Sequence, residues 1–217
     1  MANSTKSDNT LIHDTICLFL ITLIAGILLG GVYQITKNPI AKQNEKVKQE
    51  AYAAVYKGAS FESDSKFDSA LKTFQNDLAK GKVNTASGTD LSDVEIQEVM
   101  KATVDGKDAG YVVTCSGKGY GGAVKIALGV DADGAVKGIQ IMDCSNETPG
   151  LGQNSANTEW NKQYVGMNKS QDITVVKDGT GSTKDGKINA ISGATITSSA
   201  VTRAVNGALL FITSLSE

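Results

Sequence analysis

The sequence predicts an α+β protein in which a single N-terminal transmembrane helix precedes an antiparallel sheet flanked by helices. Three observations predict it. An uncharged run, "ICLFLITLIAGILLGGVYQI", occupies Ile16 to Ile35. From Val94 onward, short apolar runs alternate with Asp-Gly or Gly-rich turns, the pattern of hairpin-connected strands. The chain closes with Ala200, Val201, Ala204, Val205, Ala208, Leu209 and Ile212 at helical spacing, a broad apolar stripe.

The composition bounds what such a protein can do. A chain of 217 residues is long enough for one domain with a sizeable core and short for two. Lys and Arg number 21 against 23 Asp and Glu, with no basic block, so a nucleic-acid partner is excluded. One histidine makes a His-rich catalytic metal site untenable. Cys17, Cys115 and Cys144 lie far apart without CxxC spacing, which removes an iron–sulfur cluster or Cys-rich zinc site. Cys115 and Cys144 are either core thiols or, in an oxidising compartment, a bridge.

The apolar run is about 20 residues long and, at ~1.5 Å per residue, spans the ~30 Å hydrocarbon core of a bilayer. Its start carries Lys6, Asp8, His13 and Asp14, and no small-x-small site follows it, so it reads as a retained anchor rather than a cleaved signal. Gly26 and Gly30 give a small-xxx-small spacing that suits a close helix contact but also arises by chance in membrane helices. Lys37, Lys42, Lys46 and Lys48 follow the span and only Lys6 precedes it; charge alone would therefore place the C-terminal domain in the cytoplasm.

After a break expected at Asn38 and Pro39, a helix carries Val47, Ala51, Ala54 and Val55 on one face and stops at Gly58. The next stretch, with Phe61, Phe67, Leu71, Phe74 and Leu78, reads as a short turn followed by a second helix that buries its aromatics, then a loop, "SGTDLSDV". Strands are expected in "VEIQEVMKATV", "AGYVVTCSG", "GGAVKIALGV" and "AVKGIQIMDCS", turning at Asp105-Gly106 and at "DADG". Imperfect alternation from Lys125 to Val130 implies a face covered by helices. "ANTEWNKQYVG" reads as a short helix with Trp160 and Tyr164 on one side, both as core residues, and "DITVVKDG" as a further strand.

Two loops stand out. In "ISGAT", Gly193 permits a positive-φ bend, Ala194 a close approach, and Thr195 projects a hydroxyl beside the amides of a helix start, where phosphate binds well. The plain alternative is that Ser192, Thr195, Thr197 and Ser198 satisfy backbone donors, with Thr197 or Ser198 as the cap. The spacing fits neither a Walker loop nor a dinucleotide fingerprint. In "CSNETPGLGQ", Pro149-Gly150 holds a tight turn. That loop is either a strand-to-helix connection or a ligand wall, with Glu147 and Thr148 as polar partners and Leu151 as an apolar one.

In this order and behind one membrane helix, "GAVKIALGVDADGAVKGIQIMDCSNETPGLG" and "INAISGATITSSAVTRAVNGAL" resemble the G-subunit family of the Rnf electron-transport complex. They are more distantly similar to the C subunit of sodium-pumping NADH:quinone oxidoreductase. The resemblance divides the chain into a short cytoplasmic N-terminus (1–15), a transmembrane helix (16–35), a helical tether and lead-in (36–93) and an FMN-binding domain (94–217). It implies an electron-transfer subunit rather than a free-standing enzyme, relaying electrons within an ion-translocating ferredoxin:NAD oxidoreductase. The flavin domain would lie on the extracytoplasmic side of a bacterial cell membrane, against the charge tendency noted above.

The resemblance further implies FMN joined through its phosphate to the hydroxyl of Thr195, the last residue of Ser192-Gly193-Ala194-Thr195, by a separate flavin transferase that uses FAD. Glu147, Thr148, Gly150 and Leu151, with Ser192, Gly193, Ala194 and Thr197, are the implied flavin neighbours. The implied partners are the other subunits of the complex, the transferase, and the lipid bilayer around Ile16 to Ile35. One departure is present: the family motif has aspartate six places before the threonine, and this chain has Asn189, which keeps the acceptor oxygen but loses the charge. Asp185 is a displaced substitute. Noncovalent flavin binding by a membrane-tethered module is the alternative that this asparagine leaves open.

Overall fold

In the computed structural model, residues 4–168 and 170–215 are described. They fall into two compact units, Met1–Lys46 and Val47–Glu217. A helix, α1, runs from Ser4 to Val55. Among the described residues it is the one helix long and apolar enough to cross a membrane. Leu18, Phe19, Leu20 and Ile21 are all exposed, and four successive residues cover the whole circumference of a helix. A helix apolar and exposed all round calls for lipid. Its polar side chains are satisfied within the helix: Thr22 donates to the carbonyls of Leu18 at 3.0 Å and Phe19 at 2.9 Å.

The expected break at Pro39 does not occur, because α1 continues through it. Proline there removes only the donor to the Ile35 carbonyl. The helix loses one bond rather than its course. The buried face of the last turns also differs from expectation. Ala51, Tyr52, Val55 and Tyr56 are buried, while Ala54 is exposed. The two tyrosines reach further than alanine and end on polar partners. Tyr52 shares a 2.7 Å hydrogen bond with Thr114 and donates to Glu98 at 3.0 Å, and Lys48 pairs with Glu98 at 2.6 Å. Tyr56 donates to the carbonyls of Val130 at 2.8 Å and Ala109 at 3.1 Å.

The second unit is built on a five-stranded antiparallel sheet in sequential order: β1 (Ser60–Glu62), β2 (Glu95–Val104), β3 (Lys107–Lys118), β4 (Ala123–Asp131) and β5 (Val136–Asp143). Asp105 (φ 51°) and Gly106 (φ 74°) both take left-handed values, as a two-residue hairpin requires. The strand β1 replaces the turn expected around Phe61, pairing Ser60 with Thr103 on the edge of β2. Three residues are too few for periodicity to reveal a strand. The helix α2 (Ser65–Ala79) starts where Asp64 accepts the Lys66 N–H at 2.9 Å. It buries Leu78 fully but leaves Phe67, Leu71 and Phe74 half-buried.

Both faces of the sheet are covered. Val112 and Ala127 pack with Tyr52, Val55 and Tyr56. Their neighbours Val113, Ile126 and Leu128 face the opposite way, into a core shared with α4 (Thr195–Ser214). That explains the near-continuous apolar text of β4. The short helix α3 (Thr158–Asn161) continues into a 3₁₀ turn, setting Trp160 edge-on to Tyr164 at 5.5 Å. Tyr164 is fully buried and shares a 2.8 Å hydrogen bond with Thr202, as its core reading requires. The late strand β6 (Thr174–Val176) lies outside the main sheet, parallel to β7 (Lys187–Asn189). Asn206 of α4 holds the approach to β6, accepting from the Ile173 N–H at 3.2 Å and donating to its carbonyl at 2.8 Å.

The bridge considered between Cys115 and Cys144 is not formed; both are free thiols. Cys115 is aligned with Ile126 on β4 and, through it, with Ile141 on β5. Two strand spacings of ~4.8 Å already exceed the ~7 Å that a disulfide tolerates. Burial pushes the Cys115 thiol well up, leaving it an inert core group.

Candidate functional site

Three loops converge at the N-terminal end of α4: the 119–122 turn between β3 and β4, the 144–153 segment after β5, and the 190–194 entry to the helix. Their meeting leaves a cleft of about 540 Å3 lined by residues 193–197 together with Tyr120, Glu147, Thr148, Leu151 and Gly152.

The helix entry is a tight turn in which the Ala194 N–H donates to Ile191 at 2.9 Å and Gly193 takes φ 73°. A Cβ on Gly193 would also meet Leu151 Cδ2 at 2.9 Å and displace the end of that side chain, but it is the positive φ that selects glycine. The helix begins at Thr195 with Ala194 in the cap position and no side-chain cap. Neither Thr197 nor Ser198 caps it, contrary to expectation. Ser198 reaches backward, accepting from the Ile191 N–H at 2.9 Å and donating to the Ala194 carbonyl at 3.0 Å. Thr197 donates instead to Glu147 Oε2 at 2.5 Å. The first-turn amides, on residues that line the cleft, therefore have no side-chain cap among the described residues.

Glu147 is the fastener of the site. Only 2% exposed, its Oε1 accepts from the N–H groups of Gly121 at 2.8 Å and Gly122 at 3.3 Å, while Oε2 takes Thr197. One buried carboxylate with three donors ties all three segments together. A Cβ on Gly152 would run into this carboxylate and the Thr197 hydroxyl, which explains the glycine. Pro149-Gly150 forms the expected turn, with the Leu151 N–H donating to Thr148 at 3.1 Å and Gly150 at φ 76°.

Of the residues singled out in the sequence, the cleft gathers Glu147, Thr148, Leu151, Gly193, Ala194, Thr195 and Thr197. Gly150 and Ser192 do not line it; Gly150 shapes the turn and Ser192 is exposed beside it. The sequence reading missed Tyr120, Gly152 and Ile196. The available signal was "GKGYGG", an aromatic among glycines with no periodic partner through which to enter a core.

The hydroxyls are not equivalent. Thr197 and Ser198 are buried and engaged, whereas Thr195 is half-buried, lines the cleft and makes no side-chain hydrogen bond among the described residues. Asn189 lies outside the cleft lining: its Oδ1 accepts from the Gly181 N–H at 2.8 Å, and its carbonyl accepts from the Trp160 indole at 2.8 Å. Asp185 is exposed at the end of a 3₁₀ turn and does not line the cleft either.

The profile of the FMN-binding domain family matches residues 119–210, a range that begins at the Tyr120 turn and ends in α4. Over 204 residues the chain is 34% identical to the G subunit of the Na(+)-translocating ferredoxin:NAD(+) oxidoreductase complex of Acetobacterium woodii, covering 92% of this chain and 90% of that protein. It belongs to the G-subunit family of Rnf-type ion-translocating complexes. A second member, the G subunit of the proton-translocating ferredoxin:NAD(+) oxidoreductase complex of Clostridium ljungdahlii, is 32% identical over 96% of this chain and 95% of its own. The crystal structure of Shewanella oneidensis NqrC aligns with a TM-score of 0.46 at 25% identity, over 54% of this chain and 60% of that one. As an Rnf-type G subunit, the chain is a single-pass, flavin-binding electron-transport protein of the membrane.

The residues present suit FMN. The volume falls within the ~300–1,000 Å3 usual for cofactor sites. The bare first turn of a 20-residue helix suits a phosphate. Leu151 and Gly193 line the cleft side by side and give it an apolar stretch of wall.

Proposed function

We propose that Thr195 carries FMN as a phosphoester and that electrons pass through this cleft between partner subunits of an ion-translocating ferredoxin:NAD oxidoreductase. The observation that carries the reading is the state of the hydroxyls: Thr195 lines the cleft without a hydrogen bond among the described residues, while Thr197 and Ser198 are buried and committed. Attachment requires a flavin transferase. Thr195 Oγ1 forms a bond to the flavin-proximal phosphorus of FAD, the phosphoanhydride breaks with AMP as leaving group, and the hydroxyl proton passes to solvent.

FMN supplies the redox chemistry when bound; the chain holds and orients it. The first-turn amides of α4 would receive the phosphate, a charge–dipole preference worth ~0.3–1 kcal/mol at an exposed site. A term that small orients an anion without retaining it, which gives the ester its purpose. Leu151 and Gly193 offer an apolar wall, Thr148 an exposed hydroxyl, and Glu147 holds the walls at fixed spacing from within.

Acid precipitation of protein made together with the transferase tests the reading. Flavin should remain in the protein pellet and be absent from Thr195→Ala. Flavin released to the supernatant would identify a noncovalent module instead.

In this proposal the FMN domain lies on the extracytoplasmic side. Lys48, one of the lysines that argue otherwise, is engaged with Glu98 inside the folded unit, which lessens its weight as a topology signal. Protease added to right-side-out vesicles should cleave the domain; protection there, with cleavage only in inverted vesicles, would reverse the orientation.

A further inference from the structure

We propose that Tyr120, supported by Leu151 and Ile196, is the platform on which the flavin ring rests, and that Tyr120 is a positioning residue for it. The inference rests on the cleft being the FMN site. Among the described large apolar residues of 47–217, those left exposed are Tyr120 at 74%, Leu151 at 40%, Ile196 at 54%, and Val165. All but Val165 line the cleft. Exposed apolar groups gathered in one concavity signify a ligand or partner, whereas scattered ones signify nothing.

Three features favour a flat cofactor over a macromolecule as the cover. The apolar residues share one concavity with the bare helix start, so a ligand with an anionic end and a flat apolar body satisfies both halves. The Tyr120 turn is held from beneath: Gly119 N–H donates to Gly122 at 2.7 Å, and Gly121 and Gly122 donate to Glu147. The phenol ring is thus presented outward by a fixed backbone, so little ordering remains to be done on binding. Glu147 also takes Thr197 of the helix start, so a single buried carboxylate sets the spacing between the aromatic platform and the phosphate end.

A tyrosine ring in contact with a flavin quenches its fluorescence by electron transfer, and this gives a readout independent of turnover. In full-length protein made with the transferase, wild type should hold flavin of short fluorescence lifetime. Tyr120→Leu should keep flavin in the acid pellet while its lifetime lengthens several-fold, and Tyr120→Phe should lengthen it likewise, since a phenyl ring does not donate an electron to excited flavin. Nitration of Tyr120 by tetranitromethane should be fast in flavin-free protein and suppressed in loaded protein. An unchanged lifetime in Tyr120→Leu, or equal nitration with and without flavin, overturns the proposal and leaves the rim to a partner subunit. Loss of flavin from Tyr120→Leu but not from Tyr120→Phe supports it, because the aromatic ring is then needed even for loading. A wild type with flavin in neither pellet nor supernatant overturns the cleft assignment itself, and is seen before any lifetime is measured.

Discussion

From Ala200 to Ile212, α4 buries Val201, Ala204, Val205, Ala208, Phe211 and Ile212 against the sheet, whereas its first turn has no side-chain cap and opens on a cleft. A missing cap costs ~1 kcal/mol. Each large apolar side chain removed from water returns ~1.5–3 kcal/mol. The body therefore over-determines the helix, and its start is free to serve a ligand. Hydroxyls that would ordinarily cap the helix are used otherwise, Thr197 to fix the wall and Ser198 to fix the turn.

The sharpest way to break this division is to cut the body. Phe211 is fully buried and lies edge-on to Phe74 at 5.2 Å. Phe211→Ala should lower the unfolding free energy of the detergent-solubilised chain by ~3–5 kcal/mol in urea titrations, with the flavin content of the folded fraction unchanged. A cost like that of a surface substitution would mean that the body does not carry the helix.

The opposite face of the sheet gives a pH test of burial. Tyr56 is 5% exposed, and burial, followed by the nearby charge of Asp131, pushes its pKa up to about 12 from 10.0. The neutral phenol is favoured in the folded state, so its contribution is complete below pH 10 and is lost as pH rises through 12. Between those values wild type should lose roughly 2–3 kcal/mol more stability than Tyr56→Phe. At neutral pH the same variant should cost ~1–3 kcal/mol, because the Val130 and Ala109 carbonyls lose their donor. Parallel stability profiles for the two proteins across that range would refute the buried-phenol account.

At the helix start the balance is reversed. Gly193→Ala should cost only ~1 kcal/mol for its positive φ. Its Cβ nevertheless meets Leu151, so the fraction of protein carrying flavin after a fixed expression time should fall much further than stability does. Equal losses in both measurements would show that the turn serves folding alone.

The same contrast governs what the sequence could tell. β2 to β5 and the body of α4 were legible because burial imposes a period and the Asp-Gly turn a dihedral sign. The Pro149-Gly150 turn and the SGAT entry were legible because their chemistry is local. The role of Thr197 was not, since its hydroxyl is taken by Glu147, 50 residues earlier. Tyr120 was missed for the converse reason: a lone exposed aromatic belongs to no period, and only its setting among glycines marked it. Pro39 misled because a single proline inside a 52-residue helix costs one hydrogen bond and not the helix.

The assignment of Thr195 is tested most directly by fragment-ion mass analysis of the peptide that contains it, from full-length protein made with the transferase. The account predicts an added mass of FMN minus water on Thr195, and its complete loss in Thr195→Ala with stability changed by less than ~0.5 kcal/mol. The same mass on Ser192 or Thr197, or flavin still bound covalently to Thr195→Ala, would contradict it.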